Sequence, residues 1–82
     1  MAYFIYILQS VKDDKYYIGS TCNVEARLRF HNAGLQRSTR NRIPFKLLYF
    51  EEVADKQRGL QRERQIKSFK SGAAFKRLIC GK

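Results

Sequence analysis

Residues 2–20, AYFIYILQSVKDDKYYIGS, decide how this chain folds. Residues 2–9 are β-branched and aromatic with no polar break until their end, the composition of a strand buried on both faces. SVKDDK at 10–15 follows as a polar turn, and YYIGS at 16–20 returns as the second strand of a hairpin. Tyr6 then stands near the middle of the first strand and Tyr17 in the second. Both rings are expected on one side of the sheet, with the register left to the geometry of the turn.

Beyond the hairpin the boundaries are set by capping chemistry. Asn23 is a good N-cap, Glu25 complements the dipole in the first turn and Gly34 is the expected stop, which predicts a helix over about residues 24–32. At roughly 100° per residue, Val24, Arg27, Leu28 and His31 share one sector. An arginine and the chain's single histidine therefore flank the face that must pack inward. LQRSTRNRIP at 35–44 reads as a basic loop ending at the only proline, and FKLLYFEE at 45–52 as a third strand. Asp55 caps a helix running to about Lys67, in which Glu63 interrupts the apolar stripe between Leu60 and Ile66. SGAAFKRLICG at 71–81 closes the chain as a short helix anchored by Phe75, Leu78 and Ile79, with Ser71 as its cap. The order β-β-α-β-α-α predicts an α+β domain, a small three-stranded antiparallel sheet covered by helices and formed by residues 1–82 as one unit.

The charge is strongly positive and uneven. Of a net +10, residues 56–82 carry nine Lys or Arg against the single acid Glu63, and residues 27–46 carry six with no acid. Such a field draws polyanions by releasing counterions from phosphates, so nucleic acid is the leading expected partner and an anionic membrane surface the second. Eleven Phe and Tyr within a 44% hydrophobic composition argue against disorder. Cys22 and Cys80 form no metal-binding pattern, with only His31 as a possible companion, so a structural zinc is not expected. MAYFIYILQS has the features of neither a signal peptide nor a spanning segment of about 20 residues, and a cytoplasmic protein with reduced thiols is expected.

Taken together, FIY at Phe4–Tyr6, YIG at Tyr17–Gly19, Arg27 eight residues after that glycine, and the helical Glu63 resemble the GIY-YIG nuclease superfamily over essentially the whole chain. The chain is most similar to the small, stand-alone bacterial subgroup: it has His31-Asn32, Thr39-Arg40 before Pro44, and Glu63-Arg64-Gln65-Ile66-Lys67. It departs from the pattern at Phe4, where the family name has glycine, and in SFKSGAAFKRLI, which lacks an asparagine that some members carry.

The resemblance implies an endonuclease hydrolysing DNA phosphodiester bonds with low sequence specificity. It implies Mg²⁺ or Mn²⁺ held by Glu63, a hard cation suited to oxygen ligands. Tyr6 would be general base or would position the attacking water, and Tyr17 would bond the same phosphate or water. Arg27 would fork onto the scissile phosphate. His31 would relay a proton with Tyr6 or bind the phosphate. Arg27, His31 and the metal are expected to favour the Tyr6 phenolate, with activity rising toward alkaline pH. Gly19 would admit substrate or the following helix close to the backbone, and Asn32 would be structural. Arg37, Thr39, Arg40, Arg42, Lys67 and Lys70 would contact nucleic acid along the substrate path. Phe30, Tyr49 and Phe50 are candidates for stacking on unpaired bases, with core packing expected for the last two.

Each residue also has a plainer reading. The two tyrosines would be core aromatics, Arg27 a solvated helix charge, His31 a helix-end residue, and Glu63 a surface partner of Arg62, Arg64 or Lys67. At the level of the whole chain the alternatives are a nucleic-acid-binding module without turnover and an interaction protein docking on a repair nuclease. Single-stranded, branched and duplex DNA, and targeting by a second protein, stay open. Sequence-guided relatives append separate DNA-binding domains, for which this length leaves no room.

Overall fold

The computed structural model describes residues 2–69 and 72–80. Strands β1 (Tyr3–Ser10) and β2 (Tyr16–Thr21) lead into helix α1 (Val24–Asn32), and a 3₁₀ turn at Arg40–Arg42 precedes β3 (Phe45–Val53). Helices α2 (Lys56–Lys67) and α3 (Ala73–Cys80) complete the order. The sheet runs β2-β1-β3 with both pairings antiparallel, so the chain is the expected α+β arrangement of three strands and covering helices.

β1 is the middle strand, which explains its unbroken apolar run. Its odd side, Ile5 and Ile7, packs with Ile66 of α2 and Phe75 of α3. Its even side, Tyr6 and Leu8, packs with Phe45 and is covered by Val24 and Leu28 of α1. Buried on both faces, β1 has no room for the polar alternation of a half-solvated strand.

The caps fall where the side-chain chemistry places them. Asn23 Oδ1 accepts from the Ala26 N–H at 3.0 Å, and Asp55 Oδ1 from the Arg58 N–H at 2.9 Å. Gly34 has φ +77°, the left-handed stop expected after α1. α1 has only nine residues, too few to persist on propensity alone, so its apolar face and its cap hold it in place. The proposed cap Ser71 and the proposed contact Lys70 lie outside the described residues.

One buried hydroxyl ties the hairpin turn to the loop before β3. Ser10 is fully buried; its Oγ donates to the Arg42 carbonyl at 2.5 Å and accepts from the Lys12 and Asp13 N–H groups. Arg42 Nε donates to Asp13 Oδ2 at 3.3 Å and Lys12 Nζ to the Asn41 carbonyl at 3.1 Å. Thus the basic loop that begins after α1 is anchored at its far end. Among the described residues no helix is long and apolar enough to cross a membrane.

Candidate active site

The site is built on the even face of β1. In the hairpin register Tyr6 lies opposite Gly19 and Leu8 opposite Tyr17, so Tyr6 and Tyr17 are diagonal neighbours on one face, with ring centroids 6.3 Å apart. A Cβ on Gly19 would sit 2.5 Å from the Tyr6 oxygen and 2.7 Å from its Cζ. The close approach that needs a glycine is therefore that of the Tyr6 phenol; the sequence reading had assigned it to substrate or to the following helix.

From the phenol a directed chain of hydrogen bonds runs inward. Tyr6 Oη lies 3.3 Å from His31 Nε2, and His31 Nδ1 lies 3.0 Å from Thr39 Oγ1. The Thr39 hydroxyl donates to the Gln36 carbonyl at 3.4 Å. We assign the hydroxyl proton to that carbonyl, so that Oγ1 accepts from Nδ1–H, Nε2 is the acceptor and Tyr6 the donor. His31 is 1% exposed, boxed by Tyr17 at 4.8 Å and Phe45 at 5.9 Å between centroids. Burial, then the charge of Arg27, pulls its pKa below the usual histidine value and keeps the ring neutral.

Two expectations are corrected here. With both nitrogens engaged and the ring buried, His31 is not placed to bind phosphate, and only the proton-relay alternative fits its position. Thr39, 1% exposed, is no nucleic-acid contact; it orients His31. A third correction concerns Tyr6 itself. Burial raises its pKa far above the ordinary tyrosine value, Tyr17 adds to the rise, Arg27 opposes it, and Glu63 and Tyr3 add smaller increases. Desolvation of a buried phenolate outweighs the single arginine, so the protein's own groups favour the neutral phenol, not the phenolate.

Arg27 is half-buried at the rim, its Cζ 5.1 Å from the centre of the Phe30 ring. It has no carboxylate partner among the described residues, and its charge reaches both Tyr6 and His31. A cation held at a rim without a counter-anion is free to take an external anion.

Glu63 comes from α2, on the opposite side of the sheet. Ser20, opposite Ile5 in the register, donates its hydroxyl to Glu63 Oε1 at 3.1 Å. Lys67, one turn along the helix, holds Oε2 at 2.8 Å. The Glu63 side chain is 19% exposed against 55% for Lys67, so the lysine lies on the outer side of the carboxylate. Ser20 escaped the sequence reading, although it directly follows the YIG tripeptide and its alternation aims it at α2. Lys67 is engaged with Glu63, as the plainer reading allowed, not free for a backbone phosphate.

Of the remaining basic contacts, Arg37 and Arg40 are exposed, whereas Arg42 is half-buried and paired with Asp13. Asn32 is structural as expected: Nδ2 donates to the Phe45 carbonyl at 3.1 Å and Oδ1 accepts from the Phe45 N–H at 2.6 Å, clamping the start of β3. Tyr49 packs against the core and bonds Glu51, which Arg62 grips at 2.8 Å. Phe50, expected in the core, is instead 54% exposed. The α1 residues Val24 and Leu28 pack against the cluster of Tyr6, Leu8 and Phe45, which does not include Phe50. No group of three or more His, Cys, Asp or Glu that could hold a metal exists among the described residues.

Comparison with known proteins finds relatives of this chain. A family model described as the GIY-YIG catalytic domain matches residues 2–74. A UPF0213 protein of Staphylococcus haemolyticus is 41% identical over 68 residues, 82% of this chain and 82% of the relative. A UPF0213 protein of Natronomonas pharaonis is 40% identical over 78 residues, 94% of this chain and 89% of the relative. The solution NMR structure of a UPF0213 protein from Bacillus halodurans matches with a TM-score of 0.48 at 29% identity, covering 92% of each chain.

Proposed function

We propose, since this chain belongs to the GIY-YIG catalytic-domain family, that it is a metal-dependent endonuclease hydrolysing DNA phosphodiester bonds with low sequence specificity, in repair or recombination. The observation that supports this most is the convergence on one phenol: Tyr6 is assigned as donor to a buried neutral imidazole, while Arg27, without a carboxylate partner among the described residues, stands at the rim.

With its proton committed to His31, the Tyr6 oxygen keeps lone pairs to accept a hydrogen bond from the attacking water. As the water attacks phosphorus, its proton passes to the Tyr6 oxygen and the Tyr6 proton passes to His31 Nε2. No phenolate accumulates, which accommodates the raised pKa of Tyr6, while burial and Arg27 disfavour the imidazolium so formed, so His31 holds the proton only transiently and gives it up as the product leaves. Thr39 holds the imidazole in the tautomer that can receive the proton. Arg27 compensates the charge that builds on the phosphate oxygens as the bond to the leaving oxygen breaks. Tyr17, beside both rings, lines the same spot.

Glu63 fits a hard divalent cation such as Mg²⁺ or Mn²⁺. It is a carboxylate with one oxygen fixed by Ser20 and the other already facing a positive group, and such ions complete their shells with water and substrate oxygens. Bound there, the cation would supply charge neutralisation and activate water. The reading places the protein in the cytoplasm, with DNA as partner and a targeting protein as a further one.

The deciding experiment incubates the protein with labelled single-stranded, duplex and branched DNA in Mg²⁺, Mn²⁺ or EDTA, beside Glu63→Ala. Cation-dependent cutting lost in the variant is expected; equal cutting by the variant would overturn the role of Glu63. One observation favours the second reading, a binding module without turnover: Lys67 already neutralises the one carboxylate of the site. Retention of DNA without any cutting would select it.

A further inference from the structure

The exposed apolar side chains are not alike. Val11 is in the hairpin turn, Leu35 in the loop after α1 and Leu60 on α2, three different elements, and single exposed apolar residues are common on protein surfaces. Phe50 stands in the middle of a strand. Its Cα is the direct cross-strand partner of that of Tyr6, about 5 Å away, and successive pairs of the ladder place its ring on the Tyr6 face. Phe4, on the same face of β1, meets it edge-on at 6.1 Å between centroids. One ring buttresses the other, while half of the Phe50 surface stays open to solvent beside the proposed reaction centre.

Charge says which way a bound strand would lie. Arg27 is the cation at the rim of the Tyr6 site, whereas Glu52, exposed and opposite Phe4 in the register, is an acid beside Phe50. A phosphate is drawn to the Arg27 side and repelled from the Glu52 side, and the base attached to it therefore extends toward the ring. Aromatic rings bind bases by stacking, and a base is available for stacking only where it is unpaired. In a duplex both base faces are already covered.

We propose that Phe50, braced by Phe4, is a stacking platform for an unpaired base adjoining the phosphate held at Tyr6 and Arg27, and that the substrate class is single-stranded nucleic acid. The position of the phosphate rests on the nuclease reading above; the platform itself is a binding property and is measurable without turnover.

The test uses the full chain as Glu63→Gln in EDTA, with binding to a labelled single-stranded oligonucleotide and to the same sequence as duplex measured by fluorescence anisotropy at one salt concentration. Adding Phe50→Ala should weaken single-strand binding about five- to hundredfold, and leave duplex binding within about twofold. Phe50→Leu, which keeps an apolar surface but cannot stack, should behave like Phe50→Ala. Phe50→Trp should restore binding, and because the chain has no tryptophan its fluorescence reports the platform alone. Quenching is expected with a single-stranded oligonucleotide and not with an abasic strand carrying the same phosphates. Equal losses on both DNA forms, no loss on either, or rescue by leucine would overturn the platform, the last pointing to a protein-docking surface. Cutting by the parent together with no Phe50 effect breaks only the platform; a selective Phe50 effect without cutting breaks only the nuclease reading.

Discussion

β1 serves two faces that are held together in different ways. On the odd side Ile5 and Ile7 meet Ile66 and Phe75, and what matters there is volume: side chains without polar atoms filling the space under α2 and α3. On the even side Tyr6, His31 and Thr39 are as deeply buried, yet each makes a directed hydrogen bond to the next. Burial therefore does not distinguish the structural face from the chemical one. Satisfaction of polar groups does, because a buried hydroxyl or imidazole costs free energy unless paired, and the pairing fixes which atom carries which proton.

The contrast is broken most sharply by a substitution that stops chemistry and spares the fold. Glu63→Gln should reduce cutting about a thousandfold or more, with the melting temperature little changed; a variant that cuts normally would remove Glu63 from the site. The converse is Ile66→Ala, three residues along α2 from Glu63 and inside the odd-side core. Its cost should be about 2–5 kcal/mol of stability from lost burial and the cavity left behind, read by urea denaturation. The folded fraction should cut at the parent rate, and a rate loss beyond the unfolded fraction would mean that the core beneath α2 also positions Glu63.

Tyr6→Phe keeps the ring over Gly19 and removes only the proton path. A fall of about 10²- to 10⁴-fold in rate is expected, with stability changed by about 1 kcal/mol. Thr39→Val should act more weakly, about tenfold in rate, by releasing the His31 tautomer; Thr39→Ser should restore it. A Thr39→Ser variant as slow as Thr39→Val would show that the methyl group, not the hydroxyl, is what the site needs.

The smallest effect is on stability against pH, where the even face contributes through His31 and Tyr6. The folded pKa of His31 is depressed, so its contribution is complete above the ordinary histidine value and is lost as pH falls through the folded value. The folded pKa of Tyr6 is raised, so its contribution is complete below about pH 10 and is lost as pH rises beyond it. Urea midpoints across pH for the parent and Tyr6→Phe test this: the phenylalanine should shrink the alkaline arm, leaving the part that the raised pKa of Tyr49 contributes, and leave the acid arm unchanged. An alkaline arm that persists unchanged would assign it to other groups.

Much of this was legible in the chain because the signals were local. The hairpin, the caps Asn23 and Asp55, the stop at Gly34 and the inward sector of α1 each follow from a few neighbouring residues. What was not legible depends on pieces distant in sequence. Ser20 meets Glu63 across 43 residues. Thr39 sits in a loop without periodicity, and only folding brings it under His31. The direction of the Tyr6 shift could not be read from its charged neighbours, because the dominant influence is depth beneath α1. Phe50 reads like any strand aromatic until its packing is known.

The vacancy above Gly19 also checks the alignment of the hairpin. Slide β2 by one residue and Ile18 or Ser20 would bring a side chain to where the Tyr6 phenol now lies. The phenol would be forced out of contact with His31, leaving an imidazole nitrogen buried and unanswered. A misaligned hairpin thus loses a hydrogen bond and a packed ring at once, and the residue that makes room for chemistry doubles as a proofreader of strand pairing.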